Sequence, residues 1–309
     1  MTPRLSRPMT QHGSSTPTGG PVTLPERHKA GALVASVATL VTPPGVYFKV
    51  RELVDDPASS TMHVANAIAM DPALTARLLK LVNSAFLGTR GRIESAARAV
   101  SLLGMLQVHD LVLATTVATT FKNVRPELMD VDRFWRGSVA RSLAASALAR
   151  QAGLMDVGRV FTEGLLSDLG HIVLYQTVPA LAAQARQETR GELWRIADVE
   201  RTVIGCHYGA VGGALADAWR LPECFGNAIR HQTDPRAGGD TALEASLLHV
   251  AGAIADGMED ADNLSTHVAA TLPDAWSTIG VTPDCLPTVV ADIQAHLAST
   301  LRMFDLLPH

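Results

Sequence analysis

The amino-acid sequence predicts an all-α protein built from two packed helical bundles. Three observations carry that prediction. Alanine and leucine dominate a chain that is 47% hydrophobic but only 5% aromatic, a composition suited to helices packed closely through small side chains. Apolar residues recur at helical spacing along most of the chain, as Leu74, Leu78, Leu81 and Val82 do. Strand-type alternation is nowhere sustained, which excludes a Rossmann sheet or a barrel. A length of 309 residues gives room for one large domain or two medium ones.

Taken in order, residues 1–23 are rich in Pro, Ser, Thr and Gly and poor in large apolar side chains, so a disordered tail is expected there. Arg4 and Arg7 have no apolar run beside them, and no secretory signal is expected. Order begins near Leu24-Pro25. Leu33, Val37 and Leu40 mark a first helix, which Thr42-Pro43-Pro44-Gly45 stops. A second spans about 62–70. Asp71 then suits an N-cap and Pro72 the first helical position, where its missing N–H costs nothing. That helix buries Leu74, Leu78, Leu81, Val82 and Ala85. Gly88 and Gly91 break the chain before a helix over 95–103 that Gly104 closes, and an apolar helix over 105–121 follows, bounded by Pro126.

The second half continues in the same manner. A long helix is expected over 134–151, ending at Gly153, and Asp156 can cap the next, which carries Val160, Phe161, Leu165, Leu166 and Leu169. Helices over 192–204 and 207–219 are separated by Gly205, and Leu221-Pro222-Glu223 restarts one that runs to His231. Residues 234–239 read as a loop, and 243–255 and 286–304 as the last helices. The chain divides on this reading into residues 24–125 and 126–304, with the boundary between Phe121 and Val131.

Composition also excludes functions. A net charge of −4 and a pI near 6.2 leave no electrostatic footprint for nucleic acid or an anionic membrane. Cys206, Cys224 and Cys285 form no CxxC pair, so neither a disulfide framework nor a structural zinc site is expected, and each reads as a reduced, small apolar residue of a cytoplasmic protein. No uncharged stretch approaches the roughly 20 residues needed to span a bilayer.

Several segments are more specific. The run from Asp71 to Ala85 reads Asp-Pro-Ala-Leu-Thr-Ala-Arg-Leu-Leu-Lys-Leu-Val-Asn-Ser-Ala. It is followed in order by Ile93, by Ala99-Val100-Ser101-Leu102-Leu103-Gly104, by Phe134-Trp135-Arg136, by the Gly164 to Gly170 segment, and by His207 with Trp219-Arg220-Leu221-Pro222-Glu223. This ordered set, spread over roughly residues 24–304, resembles the HDOD family. The resemblance implies an all-α fold related to HD phosphohydrolases and a place in bacterial signalling, including cyclic di-GMP pathways.

HD enzymes hold divalent cations with a His, an adjacent His-Asp pair and a later Asp; the ions activate water and neutralise phosphate. On the resemblance, Gly137 stands at the first His position, Ser167-Asp168 at the His-Asp pair, and Gly252 at the later Asp. Only Asp168 keeps its donor, so no metal or other cofactor and no catalysis are expected at this site. His207 and His231 fall where additional ligands occur and could join Asp168 around a weakly held ion; the alternative is that both are hydrogen-bonded at helix ends. His171, three residues after Asp168, could share its face or point to solvent. Glu163 reads as an ordinary helix carboxylate, and Asn83-Ser84 as a capping and turn element.

The function expected is therefore that of a non-catalytic regulatory protein whose partner is another signalling protein. The contact is expected on the face of the Asp71–Ala85 helix that carries Thr75, Arg77 and Lys80. The alternatives are a metal-dependent phosphohydrolase with a rebuilt site, or a receptor holding a nucleotide such as cyclic di-GMP in the vestigial cavity.

Overall fold

Local signals set most of the helix ends. A computed structural model describes residues 28–37, 45–83, 92–120, 129–259 and 263–304, and within them seventeen α-helices and no strand are formed. The expected tail over 1–23, the boundary beyond Phe121, and Ser84, Gly88 and Gly91 lie outside the described residues.

The first six helices are α1 (Ala30–Val37), α2 (Gly45–Asp55), α3 (Thr61–Ala69), α4 (Pro72–Val82), α5 (Ala96–Leu103) and α6 (Met105–Thr120). Ser60 and His63 cap α3 reciprocally. Asp71 caps α4 by accepting from the Leu74 amide at 2.9 Å, with Pro72 in the first turn, and Ser95 caps α5. Gly104 ends α5 at φ 86°, a conformation that glycine adopts without strain. Helix α2 was not legible from periodicity because only Tyr47 and Val50 of its eleven residues are buried.

The rest comprises α7 (Val131–Gln151), α8 (Val157–Leu166), α9 (Leu169–Thr177), α10 (Pro179–Glu188), α11 (Ile196–Val203), α12 (Tyr208–Ala218), α13 (Glu223–His231), α14 (Ala242–Glu259), α15 (Leu264–Ala269), α16 (Pro273–Ile279) and α17 (Leu286–Met303). Asp156 caps α8 through the Arg159 amide. The apolar run through Leu169 is two helices rather than one, because Ser167 bonds back to the Gly164 carbonyl and closes α8. Residues 235–241 form 3-10 turns where a loop was expected.

Small residues bring the central helices together. Helix α7 is buried along its length and packs on α8, α14 and α17. A β-carbon on Gly164 would come within 2.7 Å of the Ser142 α-carbon, and one on Gly170 within 1.9 Å of the Tyr208 carbonyl oxygen. Glycine at these two positions is thus required by the α7–α8 and α9–α12 crossings, and those crossings carry the α8–α9 corner, with Asp168, in beneath α7 and α12. Helix α1 lies within residues 24–125, the expected first bundle, yet packs on α9 and α12 of the second half, and the His28 amide donates to the Ile204 carbonyl at 2.9 Å. Helix α6 joins the two halves through α8, where Thr162 bonds the Asp110 carbonyl. No helix among the described residues is long and apolar enough to cross a membrane.

Candidate functional site

Three elements converge on one buried cation. Helix α7 contributes Gly137 and, one turn later, Arg141; the α8–α9 corner contributes Ser167 and Asp168; α14 contributes Gly252 and, one turn later, Asp256. Arg141 Nε lies 2.7 Å from Asp168 Oδ2, an ion pair whose angle is poor for a hydrogen bond. Its Nη2 donates to Asp256 Oδ1 at 2.8 Å. Tyr208 also favours the charged guanidinium. Arg141 is only 7% exposed. Burial pulls its pKa down, but Asp168 and Asp256 outweigh burial and hold it above the usual arginine range, so it stays charged. A buried charge of this kind persists only when paired, and the pairing is to two carboxylates at once.

The donor set does not fit a divalent cation. The surviving Asp168 and the nearby Asp256 both direct an oxygen at Arg141, whose guanidinium stands between them. The space beside Gly252 is taken by Arg141 Nη1, which would lie 2.8 Å from a β-carbon there. Gly137 has no ligand to offer and faces Glu259, whose Oε1 would lie 3.3 Å from its β-carbon. The Ser167 hydroxyl is bonded to the Gly164 carbonyl at 2.8 Å. Among the described residues no three His, Cys, Asp or Glu side chains form a group that could hold a metal.

The other sequence candidates lie around this centre without completing it. His207 stands at the N-cap of α12 but makes no capping bond; its Nδ1 is buried without a partner, so the expected hydrogen-bonded helix-end histidine is not found. Burial and Arg201 lower its pKa to about 4, which keeps it neutral. His231 ends α13, half-buried. His171 does not face solvent: its Nδ1 lies 3.1 Å from Glu200, and its ring stacks on Tyr208 at 4.2 Å between centroids. Burial pulls its pKa down, and the Glu200 carboxylate more than offsets this. Glu200 also accepts from the Tyr208 amide at 2.7 Å, tying α11 to the start of α12.

Glu163 is not an ordinary surface carboxylate either. It is fully buried, because α8 is enclosed by α6, α7, α13 and α14, and it pairs with Arg159 at 3.0 Å, which in turn reaches Glu244 at 3.1 Å. Burial raises its pKa to about 8 despite Arg159. Cys206 is buried as expected, whereas Cys224 and Cys285 are half-buried. Asn83 does cap and turn the chain: it closes α4 and bonds the backbone of Ile93.

Arg77 and Lys80 part company. Lys80 is exposed beside an open groove that also involves Ala76, Leu79 and Arg92. Arg77 is half-buried, with Nε unpartnered, and Thr75 bonds the Ile68 carbonyl at 2.9 Å, so that face of α4 is less free than its sequence predicts.

Sequence reasoning missed Arg141, Asp256, Glu200 and Tyr208. A signal for the first was present: Arg141 is the only charge between residues 137 and 149, in a run of small and apolar residues that had to be buried. A lone charge in such a run requires a buried partner.

The chain matches the HDOD domain over residues 40–235. An uncharacterized protein from Treponema pallidum (strain Nichols) is 26% identical over 213 residues, covering 66% of this chain and 40% of that protein; the chain thus spans well under two thirds of its relative. Among solved structures, an HDOD domain protein of unknown function from Geobacter sulfurreducens has a TM-score of 0.66 at 21% identity, covering 91% of this chain and 99% of that one. A proposed phosphohydrolase from Shewanella amazonensis SB2B has a TM-score of 0.68 at 23% identity, with coverage of 91% and 99%. A proposed signal transduction protein from Marinobacter aquaeolei VT8 has a TM-score of 0.62 at 19% identity, covering 92% of this chain and 62% of that one. At these identities the likenesses establish a shared all-α fold, and the match over residues 40–235 establishes that the chain belongs to the HDOD family.

Proposed function

We propose that this HDOD protein is a non-catalytic regulator in a bacterial signalling pathway that acts by binding another protein. One observation carries the reading: a guanidinium of the chain itself is paired with Asp168, the one ligand position that keeps its donor on the resemblance to HD enzymes, and with Asp256. Arginine stays protonated at accessible pH, so it cannot activate a water as a bound metal does, and its two carboxylate partners hold it in place. Exposed Lys80 and Arg92, which border an open groove on the outer side of α4, support a partner contact there.

The test is direct. The purified protein is incubated with generic phosphomonoester and phosphodiester substrates in the presence of Mg²⁺, Mn²⁺, Fe²⁺ or Zn²⁺. No turnover above background is expected, and Asp168→Asn leaves that background unchanged. Metal-dependent turnover abolished by Asp168→Asn overturns the reading.

A further inference from the structure

Around the site the cleft has two adjoining compartments, of about 270 and 110 Å³. Arg141, Asp256, Leu193 and Ile196 border both. Their walls carry buried polar atoms with no hydrogen-bond partner: Asp168 Oδ1 in the larger, Gln232 Oε1 and His267 Nδ1 in the smaller. Asp168 is 7% exposed, and Gln232 and His267 are each 2% exposed. The Gln232 amide nitrogen is already committed, donating to the Ser167 and Ile229 carbonyls at 2.7 and 3.0 Å, so its oxygen is the unused end. A carboxylate oxygen and an amide oxygen can only accept, and a neutral imidazole nitrogen can do so. Buried groups of this kind are ordinarily satisfied, so a cluster along one cleft marks a place for donors.

Charge points the same way. Asp168 and Asp256 share one guanidinium, which leaves one negative charge in excess at the centre. The neighbouring charges do not offset it. Glu259 is paired with Arg133, Glu200 with His171 and Asp198 with Arg201. Asp130, which caps α7, and Arg186 are of opposite sign and both exposed at the mouth, where water screens them. The walls also present aromatic surface. Trp194, 39% exposed, meets His267 edge-on at 5.0 Å, and Phe134 and Tyr175 line the larger compartment. Aromatic faces attract cations.

We infer that the two adjoining compartments together bind a small organic cation rich in N–H donors, an oligoamine or alkylguanidine, which passes beside Arg141 along Leu193 and Ile196, with one donor end at Asp168 and the other at the Gln232–His267 corner. Unsatisfied buried acceptors, a local negative excess and aromatic surface all match such a ligand, and the wall cations Arg133, Arg141 and Arg201 are each already engaged by a carboxylate. The same balance opposes a nucleotide phosphate, which would enter a site already over-supplied with carboxylates. The inference concerns the cleft and not the protein partner. It is read by binding alone, so its failure is distinguishable from a failure of the non-catalytic reading, which is read by turnover.

The test uses the full chain, at fixed ionic strength and mildly alkaline pH, with agmatine, putrescine and spermidine as probes and a nucleoside monophosphate and a cyclic dinucleotide as counter-probes. Calorimetry is expected to show saturable binding of at least one amine at one per chain, with a matching rise in melting temperature. Asp168→Asn and Gln232→Leu should each weaken it by about tenfold or more, the effect of losing one charge-assisted or buried hydrogen bond. Trp194→Ala, at a partly exposed position, is the variant that keeps the test valid if the buried ones fail to fold, and it too should weaken binding. Absence of saturable amine binding overturns the inference. So does binding that survives all three substitutions, which would mean diffuse attraction to an acidic protein, and so does saturable binding of the nucleotides in place of the amines.

Discussion

A β-carbon on Gly252 would lie 2.8 Å from Nη1 of Arg141 and 3.5 Å from its Cζ. The end of an arginine is ordinarily free to swing away, but this one is held by Asp168 on one side and Asp256 on the other. Gly252→Ala should therefore destabilise the fold by about 1–3 kcal/mol, the range for overpacking a tight interior. Arg141→Met with Gly252→Ala should cost less than the sum of the single changes, because the second removes what the first collides with. Urea unfolding of the four proteins checks this; strictly additive costs would mean that the guanidinium is not pinned.

Removing the cation alone exposes the other half of the bargain. Arg141→Met leaves the buried Asp168 without its cation beside the half-buried Asp256 and should cost about 3 kcal/mol near neutral pH. The sign of its pH dependence follows from Asp168, whose pKa burial raises even with Arg141 beside it. A carboxyl with a raised folded-state pKa contributes stability below its unfolded pKa and loses it as pH rises through the folded value. The deficit of Arg141→Met relative to the parent should accordingly shrink on acidification. Thermal melts at about pH 5 and about pH 8 read the difference, and a deficit independent of pH would refute the account.

Glu163 offers a separate pH signature at the α6–α8 junction. Burial raises its pKa from 4.5 to about 8, with Arg159 pulling down and Glu244 and Asp110 pushing up. In the window between those two values the unfolded chain is ionised while the folded one holds a proton, so stability falls as pH rises across it. Glu163→Gln, which keeps the shape without the ionisation, should flatten that decline and gain on the parent protein towards the alkaline end. Parallel melting curves for the two proteins across the window would place the pH dependence elsewhere.

How far the sequence reveals this molecule depends on whether the governing interaction is local. Asp71 with Pro72, Gly104 and Asp156 mark helix ends by bonds within one turn, and the structure places them there. Helices α2 and α10 escaped because few of their residues are buried and neither shows a full apolar face. Gly137, Ser167 and Gly252 as degenerate ligand positions, and Asp168 as the retained one, rest on resemblance alone. Arg141 was not legible, since its meaning comes from Asp256, 115 residues away. Glu163 misled for a related reason: with Arg159 four residues earlier it has the pattern of a solvated helix pair, and only the enclosure of α8 by other helices makes it a buried one.

The last prediction concerns the side chain that holds α4 to α5. Asn83 Nδ2 donates to the Leu79 carbonyl at 2.8 Å and the Ile93 carbonyl at 2.7 Å, while its Oδ1 accepts from the Ile93 amide at 2.7 Å. The amide thus pairs with both backbone groups of a residue ten positions on, and the Ile93 side chain is buried beside it. Asn83→Ala removes those bonds at a position that water reaches and should cost about 0.5–1.5 kcal/mol. Asn83→Asp keeps the acceptor but turns a carboxylate oxygen towards two carbonyls, so near neutral pH it should cost at least as much. Facing carbonyls, that carboxyl would have a raised folded-state pKa, and its penalty should ease as pH falls, because the protonated form can donate again. Lys80→Glu, on the exposed side of the same helix, serves as the control and should stay within about 0.5 kcal/mol of the parent. If Asn83→Asp proves as stable as the parent near neutral pH, the Ile93 bonds are not what fixes this corner, and the buried Ile93 side chain alone must hold it.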